Sequence, residues 1–484
     1  MGKKIPFWQT ILVVVLGLGV IIYSIAFSYG EAHMALIMAA AIASVVGALN
    51  GWKWSYMESG MISAISRSLQ ACLILLSVGI LIATWKAGGV IPSMIYYGLN
   101  ILNPSIFLFT ACILCMIVSL CLGSSYTTAG TIGVAMIGVS IGLGISPAMT
   151  AGAVVAGSYF GDKMSPLSDT TNLAPAVAGS NLFEHIRHMV YTVTPSILVA
   201  LIVYIIIGRG AAADSVSVAE AELLQSEILN EFVVSPLLLL PVLVLIAIVI
   251  LKIPALLGIF IGIFIGLFCM TAVQGTHIAD WFPTMHYGYT SISEAVLGAD
   301  YTVADLVGGG GFDGMLWAVS VVLCSMSFAG VMESTGMLSD IAHRILSFAK
   351  NTGSLVTVTV VSCIVVNMLT ADQYLAIILP GRMYKTAFED RKLKAKNLSR
   401  CLEDSATLTS PIIPWNVCGA TMSSFLGVPT AAYIPYAILN WLNPLISILY
   451  GYLGFTMEKM SDEEYEAILD QRRIDAELAA KAVQ

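Results

Sequence analysis

Residues 161–175 read GDKMSPLSDTTNLAP. Two carboxylates, Asp162 and Asp169, stand seven positions apart. Among them lie Lys163, the hydroxyls of Ser165, Ser168, Thr170 and Thr171, the amide of Asn172, and two prolines. Carboxylates and neutral oxygens without histidine or cysteine make a donor set for a hard cation such as Na+, not for zinc or copper. Pro166 and Pro175 interrupt helical hydrogen bonding, and the carbonyls so freed are further oxygen donors. On an unbroken helix the two carboxylates would share one face roughly 10 Å apart, too far for one ion to touch both. The segment is therefore expected to unwind at Pro166 and bring them closer.

A second stretch has the same character. CLEDSATLTSPIIPWN (401–416) sets Asp404, Ser405, Thr407, Thr409, Ser410 and Asn416 around Pro411 and Pro414. Asp162 and Asp169 are expected to carry Na+ and protons, with Ser165, Ser168, Thr170 and Asn172 as ligands. Asp404, Ser405, Thr409 and Asn416 would complete the cavity from the other side. Two further segments, GSSYTTAGT (123–131) and NMLTADQY (367–374), read as hairpin tips, with Ser124, Ser125, Thr127, Thr128, Thr370 and Asp372 as candidates. Small residues there allow close helix approach, and half-helix N-termini can face an anion. Packing alone calls for no carboxylate at Asp372. Lys163, or Arg382 beside the second hairpin, is the candidate for holding a substrate carboxylate. Hydroxyls at a broken helix also have a purely local use, bonding back to the backbone they cap.

These residues belong to a chain of 484 residues that is 58% hydrophobic and 11% charged, with a net charge of −8. Its mean hydropathy is +0.88. A soluble domain would carry about a quarter charged residues, so the chain reads as an all-α polytopic membrane protein. The charge argues against nucleic-acid partners. Burying Asp162, Lys163, Asp169, Asp372, Glu403 and Asp404 against lipid would cost on the order of 15 kcal/mol. That exceeds typical net stability, so they must face a wet, protein-lined cavity; Lys163, next to Asp162, is expected to offset part of the cost. The nine cysteines show no paired spacing and read as small apolar packers. GGGG (308–311) lacks the Lys-Ser/Thr of a phosphate-binding loop and reads as a flexible connector. Glu184, His185 and His188 read as an interfacial helix rather than a metal site. Neither a nucleotide motif nor a nucleophile–base pair is present, which points away from a primary pump, an enzyme or a bound cofactor.

Spans of about 20 apolar residues cross a bilayer. Candidates fall at 7–29, 34–50, 68–86, 190–209, 233–251, 254–273, 315–333 and 430–455, around two broken regions, 104–179 and 351–425. The first is read as a retained helix and not a cleaved leader. About ten crossings result, plus one re-entrant hairpin in each broken region. WKAGGVIPS (85–93) matches MESTGMLSD (332–340), YTTAGTI (126–132) matches LTADQYL (369–375), and Ser165-Pro166 matches Ser410-Pro411, in one order and at nearly one offset. The basic loop 391–400 belongs inside, whereas its uncharged counterpart near 144–148 falls outside, so the two repeats are inverted. The division is 1–60, N-terminal helices; 61–190, first repeat; 191–310, connecting helices; 311–455, second repeat; 456–484, a cytoplasmic tail. Both termini are expected in the cytoplasm, with the acidic stretch Asp214–Glu231 outside and the tail a solvated helix opening on Ser461 and Glu464.

YFGDKMSPLSDTTNLAPAVAG (159–179) resembles the signature of the NhaC family of Na+/H+ antiporters. EDSATLTSPIIPWN (403–416) and GSSYTTAGTIGVA (123–135) are similar to that family's other motifs. The resemblance implies a fold like the ion-transporter superfamily: inverted repeats, paired hairpins, a scaffold with a moving domain, often a homodimer, in the cytoplasmic membrane. It implies Na+ and H+ as transported partners. The same family includes Na+- and H+-coupled malate/lactate exchangers, so the alternative is an organic-anion or amino-acid exchanger on the same scaffold. In either case a carboxylate in low dielectric is neutralised by a proton or by Na+, one excluding the other.

Overall fold

The computed structural model describes residues 2–27, 32–214, 218–251, 253–297 and 301–482. It is helical almost throughout. Among the described residues six helices are long and apolar enough to cross a membrane, or eight if two sharply bent pairs each count as one span. Shorter apolar helices of 10–17 residues are His33–Leu49, Val90–Ile101, Leu256–Ala272 and Ile438–Leu453, of which all but Val90–Ile101 overlap an expected span.

The N-terminal pair α1 (Phe7–Phe27) and α2 (His33–Leu49) leads into α3 (Trp54–Ala87), 34 residues long. The expected span began only at 68, because Ser55, Glu58, Ser59, Ser63 and Arg67 lower the hydropathy. The helix continues through them, since a polar residue ends a hydropathy window but not a helix. α4 (Val90–Ile101) precedes the first broken region, which is made by α5 (Phe107–Leu122), the short α6 (Ser125–Thr128), α7 (Val134–Gly142), α8 (Pro147–Met164) and α9 (Asp169–Ala178). α10 (Leu182–Asp214) follows as one continuous 33-residue helix.

The acidic stretch forms α11 (Val218–Glu231), with Leu224 and Ile228 buried. Its Glu227 and Glu231 accept hydrogen bonds from Ser293, and from Tyr289 and Ser291. α12 (Leu240–Ile250), α13 (Ala255–Ala272) and α14 (Trp281–Tyr287) lead to a two-residue antiparallel strand pair, Val296–Leu297 with Tyr301–Thr302, and to α15 (Val303–Val307).

Gly308–Gly311, expected as a flexible connector, is instead wedged against α3. Gly311 N–H donates to Gly79 O at 2.8 Å, and a Cβ on Gly79 would lie 2.5 Å from Gly311 O. Lys86 Nζ donates to Gly308 O. Gly308, Gly310 and Gly311 serve close backbone contact here, and Gly309, Gly310 and Gly311 adopt φ values of 82–85°.

α16 (Leu316–Ser334) packs along α3 through another glycine contact: a Cβ on Gly330 would meet Gly60 O at 2.5 Å. After α17 (Met337–Leu346), the second broken region is made by α18 (Thr352–Thr370), α19 (Gln373–Glu389), α20 (Ala395–Leu402) and α21 (Val417–Leu426), followed by α22 (Thr430–Tyr433) and α23 (Ile438–Leu453). One apolar core joins α1–α8 with α16 and α21, and a second joins α9, α18, α19 and α20.

The tail helix α24 (Asp462–Ala482) docks on the α19–α20 turn and is not free in solvent. Arg472 pairs with Glu389 and Asp390, and Lys392 with Asp462. Arg472→Glu sets like charges against both carboxylates. Exposed pairs are worth up to about 1 kcal/mol each, so amide exchange over 462–473 should speed up several-fold, read by hydrogen-exchange mass spectrometry. Unchanged exchange would mean the ion pairs do not hold the helix.

Candidate functional site

α8 stops where the sequence puts Ser165 before Pro166. Ser165 adopts an extended conformation, as a residue preceding proline must, and Pro166 has no N–H to continue the ladder. The chain runs unwound through 165–168 and restarts with Asp169 as the first residue of α9. The carbonyls at this break already take hydrogen bonds. Thr171 Oγ1 donates to Asp162 O and Lys163 O at 3.2 and 2.9 Å. Asn172 Nδ2 donates to Pro166 O and Ser168 O at 2.9 and 2.7 Å.

The first hairpin tip lies directly on this break. α5 ends at Gly123, at φ 63°, where a side chain would collide with Leu167 at 2.7 Å. Ser124 then caps α6 by accepting from Thr127 N–H. Ser125 donates from its backbone N–H and its hydroxyl to Asp162 Oδ2, at 3.2 and 2.7 Å. Asp162 is thus buried and clamped to the tip, while Asp169 is exposed on the same cavity.

The second half repeats the plan with different chemistry. α18 ends at Ala371, a non-glycine residue at φ 53°, and Asp372 caps α19 by accepting from Tyr374 and Leu375 N–H. Val417 N–H donates to Ala371 O at 3.0 Å, so this tip lies on the second break. α20 runs into a wide turn, Glu403–Thr407, then Ser410-Pro411, and Asn416 caps α21.

Between the two tips lies a cavity of about 600 Å³. The first half contributes Ser124, Ser125, Thr127, Asp162, Asp169 and Thr170, with Ser168. The second contributes Asp372, Gln373, Tyr374 and Cys418, and α3 contributes Arg67. Tyr126 OH donates to Cys418 Sγ at 3.1 Å across the two halves.

The other expected residues lie off the cavity. Lys163 is fully buried and pairs with Asp404, not with its neighbour Asp162. Asp404 Oδ1 also accepts from Thr192 at 3.0 Å and Asn443 at 2.8 Å, and Arg400 Nε stands 3.9 Å from Oδ2. This is a closed, charge-compensated knot, and Lys163 has no reach to a substrate. Arg382 is exposed elsewhere on α19. Ser405 and Thr409 bond back to Cys401 O and Ser405 O, and Thr370 to Val366 O. Thr128 does the same to Ser124 O. Asn416 reaches Asn367 O at 3.2 Å, and Ser165 accepts from Leu167 N–H at 3.2 Å. These hydroxyls and amides hold the breaks together.

Arg67 escaped the sequence reading, and Glu403, expected to face a wet cavity, does not line this one. Arg67 lies in the polar start of a span. Glu403 is fully buried, with Oε1 accepting from Thr170 at 3.0 Å and Oε2 without a partner. His185 and His188 are buried in the first turns of α10, against Ser399 and against Lys396 O and Thr456 O. Among the described residues no group of three or more His, Cys, Asp and Glu is placed to hold a metal ion.

Residues 157–455 match the Na+/H+ antiporter family. The chain is 37% identical to the Na+/H+ antiporter NhaC of Alkalihalophilus pseudofirmus, over 95% of this chain and 98% of that one. It is 34% identical to NhaC of Bacillus subtilis, over 93% and 99%. It is 33% identical to the malate-2H+/Na+-lactate antiporter of Bacillus subtilis, over 87% and 89%.

Proposed function

The chain belongs to the Na+/H+ antiporter family, and from that premise we propose that it exchanges Na+ for H+ across the cytoplasmic membrane by alternating access. The observation that carries this reading is the pair Asp162 and Asp169 facing one cavity from the two sides of a helix break. Ser125, Ser168 and Thr170 supply neutral oxygens beside them. Na+ or a proton neutralises the carboxylates, and either lowers the cost of moving the site through low dielectric. The empty site keeps its charge, so it returns slowly and the two fluxes stay coupled. Asp404 serves as the fixed counter-ion of Lys163, and Asp372 supplies the second half's carboxylate.

Matching devices in the two halves support inverted repeats: Gly123 and Ala371 at the tips, Ser165-Pro166 and Ser410-Pro411 at the breaks, Gly89 and Gly336 before α4 and α17. With the basic 391–400 turn in the cytoplasm, the end of the cavity at Arg67, Ile253 and Pro254 faces inward. Single cysteines at Lys394 and Glu222, in a cysteine-free background, should then label from opposite sides. Labelling of both from outside would overturn the inverted orientation.

A second reading, exchange of an organic anion or amino acid, has one observation in its favour. The cavity has the volume of a small-molecule site and a guanidinium on its wall. Purified protein in liposomes decides between the two. Na+-driven uphill proton movement without any organic solute is expected; flux that appears only with malate or lactate would select the second reading.

A further inference from the structure

Among the described residues lining the cavity, Arg67 is the one cation, facing a wall that carries Asp162, Asp169 and Asp372. A bare guanidinium there would repel Na+ and attract carboxylates. Its side chain is turned back along α3, with Nη1 3.4 Å from Ser63 Oγ and Nη2 paired with Glu333 on α16. Glu333 itself is not on the cavity wall. On the same two helices Gly60 and Gly330 bring the backbones of α3 and α16 into close contact.

We propose that Glu333 is a selectivity residue: by neutralising Arg67 it keeps the cavity a cation site and keeps carboxylate-bearing solutes out. Released from Glu333, Arg67 has the reach and the planar donor fork to hold a carboxylate in the cavity. Two side chains outside the cation ligands would then decide between cation-only exchange and anion acceptance. This inference rests on the antiport reading above.

The test is a double-mutant cycle on Na+-driven proton flux in liposomes, with lactate as the anionic probe. Glu333→Gln should raise the Na+ concentration for half-maximal flux about three- to tenfold, the effect of one partly screened charge at the cavity wall. Maximal rate should stay near that of the parent, and added lactate should now inhibit. Glu333→Asp should behave as the parent. Arg67→Gln combined with Glu333→Gln should restore both Na+ dependence and indifference to lactate, which a merely structural role for the pair would not do. Half-saturation unchanged in Glu333→Gln, or a double variant no better than the single, would overturn the proposal. A parent protein without Na+-driven flux would overturn the antiport reading itself.

Discussion

Asp162→Asn is expected to abolish Na+-driven proton movement while leaving a folded, membrane-inserted protein. The asparagine keeps an oxygen where Ser125 donates its backbone N–H and hydroxyl, so the hairpin tip stays on the break. It cannot carry a proton and offers Na+ no charge. Losing a charged partner costs about 1.5–3 kcal/mol, or roughly ten- to a hundredfold in Na+ affinity, and proton coupling is lost outright. Asp169→Asn should also stop coupled flux. Its carboxylate is exposed on the cavity, so its loss should disturb folding least of the charged groups in the breaks. Normal coupling in either variant would remove that residue from the carrier role.

The second large effect is on stability. Lys163→Met leaves Asp404 buried with Thr192, Asn443 and the longer Arg400 contact at 3.9 Å as its compensation. Removing one partner of a buried pair costs about 3–5 kcal/mol, so the variant should insert poorly or unfold at markedly lower temperature in detergent. Lys163→Met with Asp404→Asn removes both charges and should recover much of the loss. Combining Lys163→Met with Asp162→Asn should recover nothing, because Lys163 does not touch Asp162. Equal instability of the first double variant and the single one would show that the pair is not what holds this region.

These two predictions also mark how far the residues alone could be read. Lys163 follows Asp162 in the chain, which suggested a local pair. Consecutive residues on a helix point about 100° apart, so the two side chains serve different faces. Asp162 meets the hairpin tip, and Lys163 meets the second half of the molecule, 241 positions away. A contact that distant leaves no local signal.

The breaks and tips themselves were legible, because Pro166, Pro411, Gly123 and the capping residues Ser124, Asp372 and Asn416 act through local backbone chemistry. The hydroxyls were not. Ser405, Thr409 and Thr128 have the same composition as a ligand shell, and the choice between coordinating an ion and bonding back to a carbonyl depends on which way each rotamer faces. Arg67 was missed because hydropathy set the start of its helix at 68, about four turns after its true start at Trp54.

Competition at the shared carboxylates is the centre of the account, and the Na+ dependence of proton flux across pH tests it most directly. In liposomes, the Na+ concentration for half-maximal flux should fall as pH rises from about 6 towards 9, then level off once protons no longer compete for the site. A half-saturation that stays constant over that range would contradict a single site shared by Na+ and H+.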